Sequence, residues 1–259
     1  MKLTHKLCGA VLLATLGMAV ALPGVTKAEE QPEGKKGSMD IEFTRNTDED
    51  TNTDSPIFTD SNGSQNTDVE SGSDPITVDP VIFGVQAVSP LDFQKHAVVN
   101  DGDVRTFWAK NYTAEGFDGS NYVLIKDSRT TLNHKYTLSA KITKPMTATV
   151  DGEDYALSGS TLTYRNIGIL SNQASNLALQ EDAIVSSSVV VTEGAESVMI
   201  NNENADSGIG QSKIYFGERT EADIEKNSNK SVALTVNSDR EILEGTYSGE
   251  VTWVMATVN

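Results

Sequence analysis

The sequence predicts an all-β fold, a single antiparallel β-sandwich or barrel-like domain after a disordered N-terminal linker. Three observations carry this. Short runs of alternating apolar and polar residues recur from residue 76 onward. Clusters of Gly, Asn, Asp and Ser separate those runs. Helical periodicity is almost absent. Many short strands separated by turn signals are the pattern of antiparallel sheets.

The alternating runs are Val81–Val85, Asn121–Ile125, Lys135–Ile142, Thr147–Val150, Val189–Val191, Lys213–Phe216, Ser231–Val236 and Thr246–Val258. Two segments, Ser175–Glu181 and Thr220–Asn227, are expected to hold short helices. Successive side chains on a strand point to opposite faces. Tyr136, Leu138, Ala140 and Ile142 therefore share one face, and Lys135, Thr137, Ser139 and Lys141 the other. Along the C-terminal run, Tyr247, Gly249, Val251, Trp253 and Met255 share a face.

Upstream, residues 1–28 read as a secretory signal peptide. Lys2 and Lys6 precede an apolar run from about Leu7 to Leu22, and Val25-Thr26-Lys27-Ala28 resembles a cleavage site. The apolar run is shorter than the ~20 residues that span a bilayer. Residues 29–75 are dominated by Asp, Thr, Asn, Ser and Gly, with large apolar residues scattered. Such a segment buries too little surface to offset its chain entropy, and is expected to be a disordered acidic linker. Residues 76–259 form the expected domain, long enough for one hydrophobic core.

The single cysteine, Cys8, lies inside the signal segment. A disulfide scaffold and a Cys-based metal site are excluded for the mature chain. The chain carries a formal charge of −17, and cleavage would remove Lys2, Lys6 and Lys27 as well. Phosphate backbones and anionic lipids repel such a chain, so neither nucleic acid nor membrane is an expected partner. With no second apolar run and no sortase signal, attachment to a cell is expected to be noncovalent.

Nothing in the sequence spells a catalytic centre. Only His96 and His134 remain after the signal segment, and the G-x-S-x-G, H-E-x-x-H and P-loop patterns are absent. The acidic turns at Asn100–Asp103 and Asp151–Asp154 do not fit a calcium loop and read as ordinary turns. No enzyme activity, cofactor or metal is expected. Trp108 and Tyr112 are candidate ligand-binding residues, because they lie with Phe107 and Phe117 among Asn, Asp and Gly, a mixture that recognises saccharides. Phe107 and Trp108 are adjacent, so on a strand one of them faces the core.

The C-terminal run, GTYSGEVTWVMATVN, resembles the closing strand of the WxL domain of Gram-positive surface proteins, which has a Tyr and then Thr-Trp-x-Leu. Tyr247, Thr252 and Trp253 match that pattern. An upstream copy follows an Asp-x-Arg stretch, matched by Asp127, Ser128 and Arg129 ahead of Tyr136-Thr137-Leu138. The segment PLDFQKHAV is similar to the Leu-x-Phe segment near the domain start. Met255 replaces the usual leucine and Tyr136 the usual tryptophan, both keeping size and apolar character.

The resemblance implies a secreted protein of the cell surface, associated noncovalently with peptidoglycan. It also implies partners among other surface proteins of the same operon type. Two alternatives are an adhesin for a host or extracellular ligand, and a structural subunit held at the wall by a partner protein. Tyr136, Leu138, Trp253 and Met255 are expected to serve packing, with an exposed sugar platform as the second reading.

Overall fold

The computed structural model describes residues 78–79, 81–98, 102–114, 117–217 and 228–258, with two short strands, β1 (Phe58–Thr59) and β2 (Gln65–Asn66). All of them belong to the compact unit Thr44–Asn259; the other unit, Met1–Phe43, lies outside the described residues. So do the signal segment, most of 29–75 and the helix expected at Thr220–Asn227. β1 and β2 pair with each other inside the stretch read as linker.

Every strand pair is antiparallel, and three sheets form the body of the domain. Alternating sequences favour this arrangement, because a strand can then bury one face and leave the other polar. The central sheet has the order β11 (Ile167–Ser171), β14 (Gly210–Phe216), β7 (Asn121–Asp127), β3 (Phe83–Val88). A second sheet runs β12 (Ser188–Val191), β10 (Thr161–Arg165), β15 (Val232–Val236), β4 (Arg105–Trp108). The third runs β13 (Ser197–Asn202), β8 (Tyr136–Val150), β16 (Ser248–Thr257), and β9 (Glu153–Ala156) also pairs with β8. A small hairpin joins β5 (Tyr112–Ala114) to β6 (Phe117–Gly119).

The three sheets share one core. Val123, Ile125, Ile214 and Phe216 come from the central sheet, Leu162, Val191 and Leu234 from the second, and Leu138, Ile142, Ile200 and Trp253 from the third. The central sheet is buried on its other face too, where Tyr112, Tyr122 and Leu124 cluster with Val78 and Ala87. Lys213 is buried on that face, its ammonium 4.7 Å from the centre of the Tyr122 ring. Burial pulls the Lys213 ammonium down to about 8.

Two expectations are corrected. Lys135–Ile142 and Thr147–Val150 are one 15-residue strand, β8. Pro145 has no N–H to give the ladder, and the chain absorbs this with a register shift between Ser248 and Glu250 on the partner strand. Gly249 lies at that shift. A Cβ there would come within 2.8 Å of the Met146 sulfur and 3.0 Å of the Lys144 carbonyl. The helix expected at Ser175–Glu181 is instead a turn, with Leu177 and Ala178 N–H both donating to the Ala174 carbonyl. Gln180 then adopts extended geometry, ψ 155°, and only a single 3-10 turn follows at Glu181–Ala183. Asp151-Gly152, in the second acidic stretch, is the turn from β8 to β9, with φ of +51° and +88°. Two consecutive left-handed residues suit a two-residue hairpin.

Candidate functional site: the paired signature strands and the Trp108 face

The two signature copies are neighbours. β8 and β16 pair so that Leu138 lies opposite Met255, Tyr136 opposite Thr257, and Ala140 opposite Trp253. The aromatic residues thus occupy opposite ends of one short antiparallel segment. Both point into the core. Tyr136 is 1 % exposed and Trp253 8 %. Met255 is half-buried against the same core.

Trp253 packs edge-on to Tyr164, centroids 5.3 Å apart, and stacks on Phe216 at 6.1 Å. These contacts join the third sheet to the other two. Its indole N–H has no hydrogen-bond acceptor among the described residues. Tyr136 donates its hydroxyl to the Gly208 carbonyl at 3.1 Å, and its ring meets Phe83 edge-on at 6.0 Å. Burial, and then the nearby Asp127 carboxylate, raise its phenol well above the usual range.

The Asp-Ser-Arg stretch is an anchor for the start of β8. The Asp127 side chain is fully buried. A buried carboxylate requires compensation, and Asp127 receives it from Arg129 and His134. Arg129 donates Nε at 2.9 Å and Nη2 at 2.7 Å, a bidentate pair. His134 Nδ1 lies 3.0 Å from Oδ2, the oxygen that Arg129 Nη2 also reaches. This carboxylate raises the Arg129 guanidinium, which also sits 4.1 Å over the Phe83 ring. His134 N–H donates to the Ala205 carbonyl, and its own carbonyl accepts from Asn202. The motif strand therefore leaves a fixed point. The sequence pattern marked Asp127 and Arg129; the part played by His134 had no local signal.

Trp108 and Tyr112 occupy different surroundings. Tyr112 is buried edge-on against Tyr122, centroids 5.9 Å apart. Trp108 is half-buried at the end of β4. Its neighbour Phe107 packs on the core, so Trp108 faces outward. Register places Trp108 beside Ala233, Ala233 beside Thr163, and Thr163 beside Val190, one row across four strands. The next row is Thr106, Thr235 and Thr161. On the opposite side of the first row, Arg165 reaches over Trp108, its guanidinium carbon 5.3 Å from the ring centre. A cation over an indole face at this distance is attractive.

Among the described residues, no group of three or more His, Cys, Asp or Glu residues could hold a metal ion. No helix among them is long and apolar enough to cross a membrane.

A search of curated proteins finds no match, and neither does a search of solved structures. One family model does match, described as WxL domain surface cell wall-binding, over residues 30–258. The match takes in both signature strands, the Asp127 anchor and the acidic stretch ahead of residue 76. The chain belongs to the WxL domain surface cell wall-binding family.

Proposed function

We propose that this protein is exported and held noncovalently at the Gram-positive cell wall, with peptidoglycan as its direct ligand. The family match over residues 30–258 carries this reading. The wall contact belongs to the outer surface of the domain, since Trp253 and Tyr136 are buried. The signature residues serve the wall contact indirectly, by holding β8 and β16 together. The role is binding without turnover. Other surface proteins of the same type would share the assembly.

A second reading, a subunit held by a companion protein, draws on β16. Among the described residues it pairs only with β8, which makes it a sheet edge. Edge strands offer backbone groups to another chain.

The test is cosedimentation of residues 29–259 with purified, protein-free peptidoglycan across a salt series. Saturable pelleting without release of soluble fragments is the expected result. Pelleting only on wall that carries a companion protein would sink direct attachment in favour of the second reading.

A further inference from the structure

We infer that the outward face of the β12–β10–β15–β4 sheet is the wall-contact face, and that it takes a peptidoglycan strand through Trp108 and Arg165. The inference rests on the wall attachment proposed above and adds the place and chemistry of contact.

The shape comes first. Ala233 and Thr163 lie on the outward side of the sheet, yet they are only 1 % and 9 % exposed. Both are small and lie between larger neighbours, Trp108 at one end of the row and Val190 at the other. Neighbouring side chains cover both, so contact with a ligand falls to Trp108, Arg165 and the threonine row beside them. Strands are spaced about 4.8 Å apart, so the row runs roughly 14 Å from β4 to β12. That length accommodates more than one sugar ring.

The chemistry fits a sugar chain bearing carboxylates. An indole face stacks on the C–H groups of a pyranose ring. The hydroxyls of Thr106, Thr235 and Thr161, aligned in the adjacent row, suit the amides and hydroxyls of N-acetyl sugars. Arg165 is exposed and makes no ion pair among the described residues. A guanidinium binds carboxylates in a two-pronged fashion, and peptidoglycan stem peptides supply carboxylates.

Charge selects this face. The chain has 37 acidic residues and a net charge of −17. None of the residues in the Trp108 row, the threonine row or the Arg165–Ser188 pair is acidic. An anionic ligand meets no repelling carboxylate from these positions, and it meets one available cation. By contrast, the outward face of β16 and its neighbours presents Glu250 and Glu196, which accept hydrogen bonds from Thr143 and Ser139.

The experiment compares the 29–259 chain with Trp108→Ala, Arg165→Gln and, as an outward control on another sheet, Val254→Ser. Pelleting with purified peptidoglycan is measured for each, after circular dichroism confirms folding. The chain has two tryptophans, and Trp253 is buried. Acrylamide quenching of wild type and of Trp253→Phe therefore reads Trp108 directly, with and without disaccharide-peptides released by a muramidase. Expected are at least a tenfold loss of wall affinity for Trp108→Ala and Arg165→Gln, none for Val254→Ser, and protection of Trp108 by the fragments. If wild type pellets and both variants pellet equally well, this face is wrong while wall attachment stands. If wild type fails to pellet, both fall. Binding only to wall that retains its phosphate polymers would overturn the choice of peptidoglycan.

Discussion

Leu138 and Met255 are direct cross-strand partners, so the two halves of the family signature meet at their aliphatic residues. Each motif alone is three residues long and carries little information. Paired, they become one structural unit that fastens the closing strand to the longest strand of the domain. The pairing also explains why methionine is acceptable at position 255. The side chain is only half-buried, and an unbranched thioether adapts to such a site.

The first prediction concerns this pair. Leu138→Ala should lower stability by about 2–5 kcal/mol, the usual range for a buried leucine. Met255→Ala should cost less because of its partial exposure, and Met255→Leu should be near neutral. The double alanine variant should cost less than the two single losses together, since contacting residues couple. Urea midpoints of wild type and the four variants check this. Strict additivity would show that the two side chains do not support one another.

A second prediction isolates ring packing at Trp253. Its ring joins Tyr164 and Phe216, but its N–H is buried without an acceptor among the described residues. An unmet buried donor costs about 1–3 kcal/mol. Both Trp253→Phe and Trp253→Ala remove the N–H and its cost, but the phenylalanine keeps much of the ring packing that the alanine loses, at about 3–5 kcal/mol. The phenylalanine variant should lose less than half as much as the alanine variant in chemical denaturation. Equal losses would mean that the ring contacts to Tyr164 and Phe216 contribute little to stability.

Much of this architecture was legible in the sequence. β7, β14 and β16 follow alternating runs, and the inward placement of Trp253 follows from counting along the closing strand. β10, β11 and β13 escaped notice. β10 does alternate, Thr161-Leu162-Thr163-Tyr164-Arg165, but it is only five residues long, too short a run to stand out. Pro145 hid the continuity of β8, because a proline signals a break unless a bulge absorbs it. The Trp108 face was only half legible. The indole and its aromatic neighbours could be picked out, but Arg165, Ala233 and the threonines join Trp108 through pairing across distant strands. Tyr112, close to Trp108 in sequence, is buried beside Tyr122 instead.

The third prediction is a pH dependence from Lys213, which is 3 % exposed. Its folded value, about 8, lies below the ~10.4 of an unfolded lysine. The unfolded chain therefore binds more protons between these values, and stability rises with pH through that window. Below pH 8 the full penalty applies, about 3 kcal/mol at 1.36 kcal/mol per unit. Above pH 10 an opposing trend begins. Burial raises the Tyr122, Tyr136 and Tyr164 phenols, so unfolded tyrosines ionise first and stability falls. Wild type should therefore gain stability between pH 8 and 9.5. Lys213→Met should lack that rise, as read from urea midpoints at pH 7, 8.5 and 9.5. Parallel curves for the two proteins would assign the rise to other groups.

The fourth prediction tests the bulge that lets β8 run past Pro145. Gly249 faces the Met146 sulfur and the Lys144 carbonyl so closely that a Cβ cannot fit without movement. The methionine side chain can shift, but the carbonyl belongs to the backbone of β8. Gly249→Ala should therefore push β16 from β8 at this point and cost about 1–3 kcal/mol, in the range of overpacking. Ordinarily alanine stabilises a strand relative to glycine, by reducing the freedom of the unfolded chain, so the sign alone discriminates. Amide exchange should accelerate near Glu250 and Lys144, while Trp253 and Leu138, farther along the ladder, keep their protection. A stabilised Gly249→Ala protein would mean that the bulge relaxes freely, and the closing strand would then be fastened by the Leu138–Met255 segment alone.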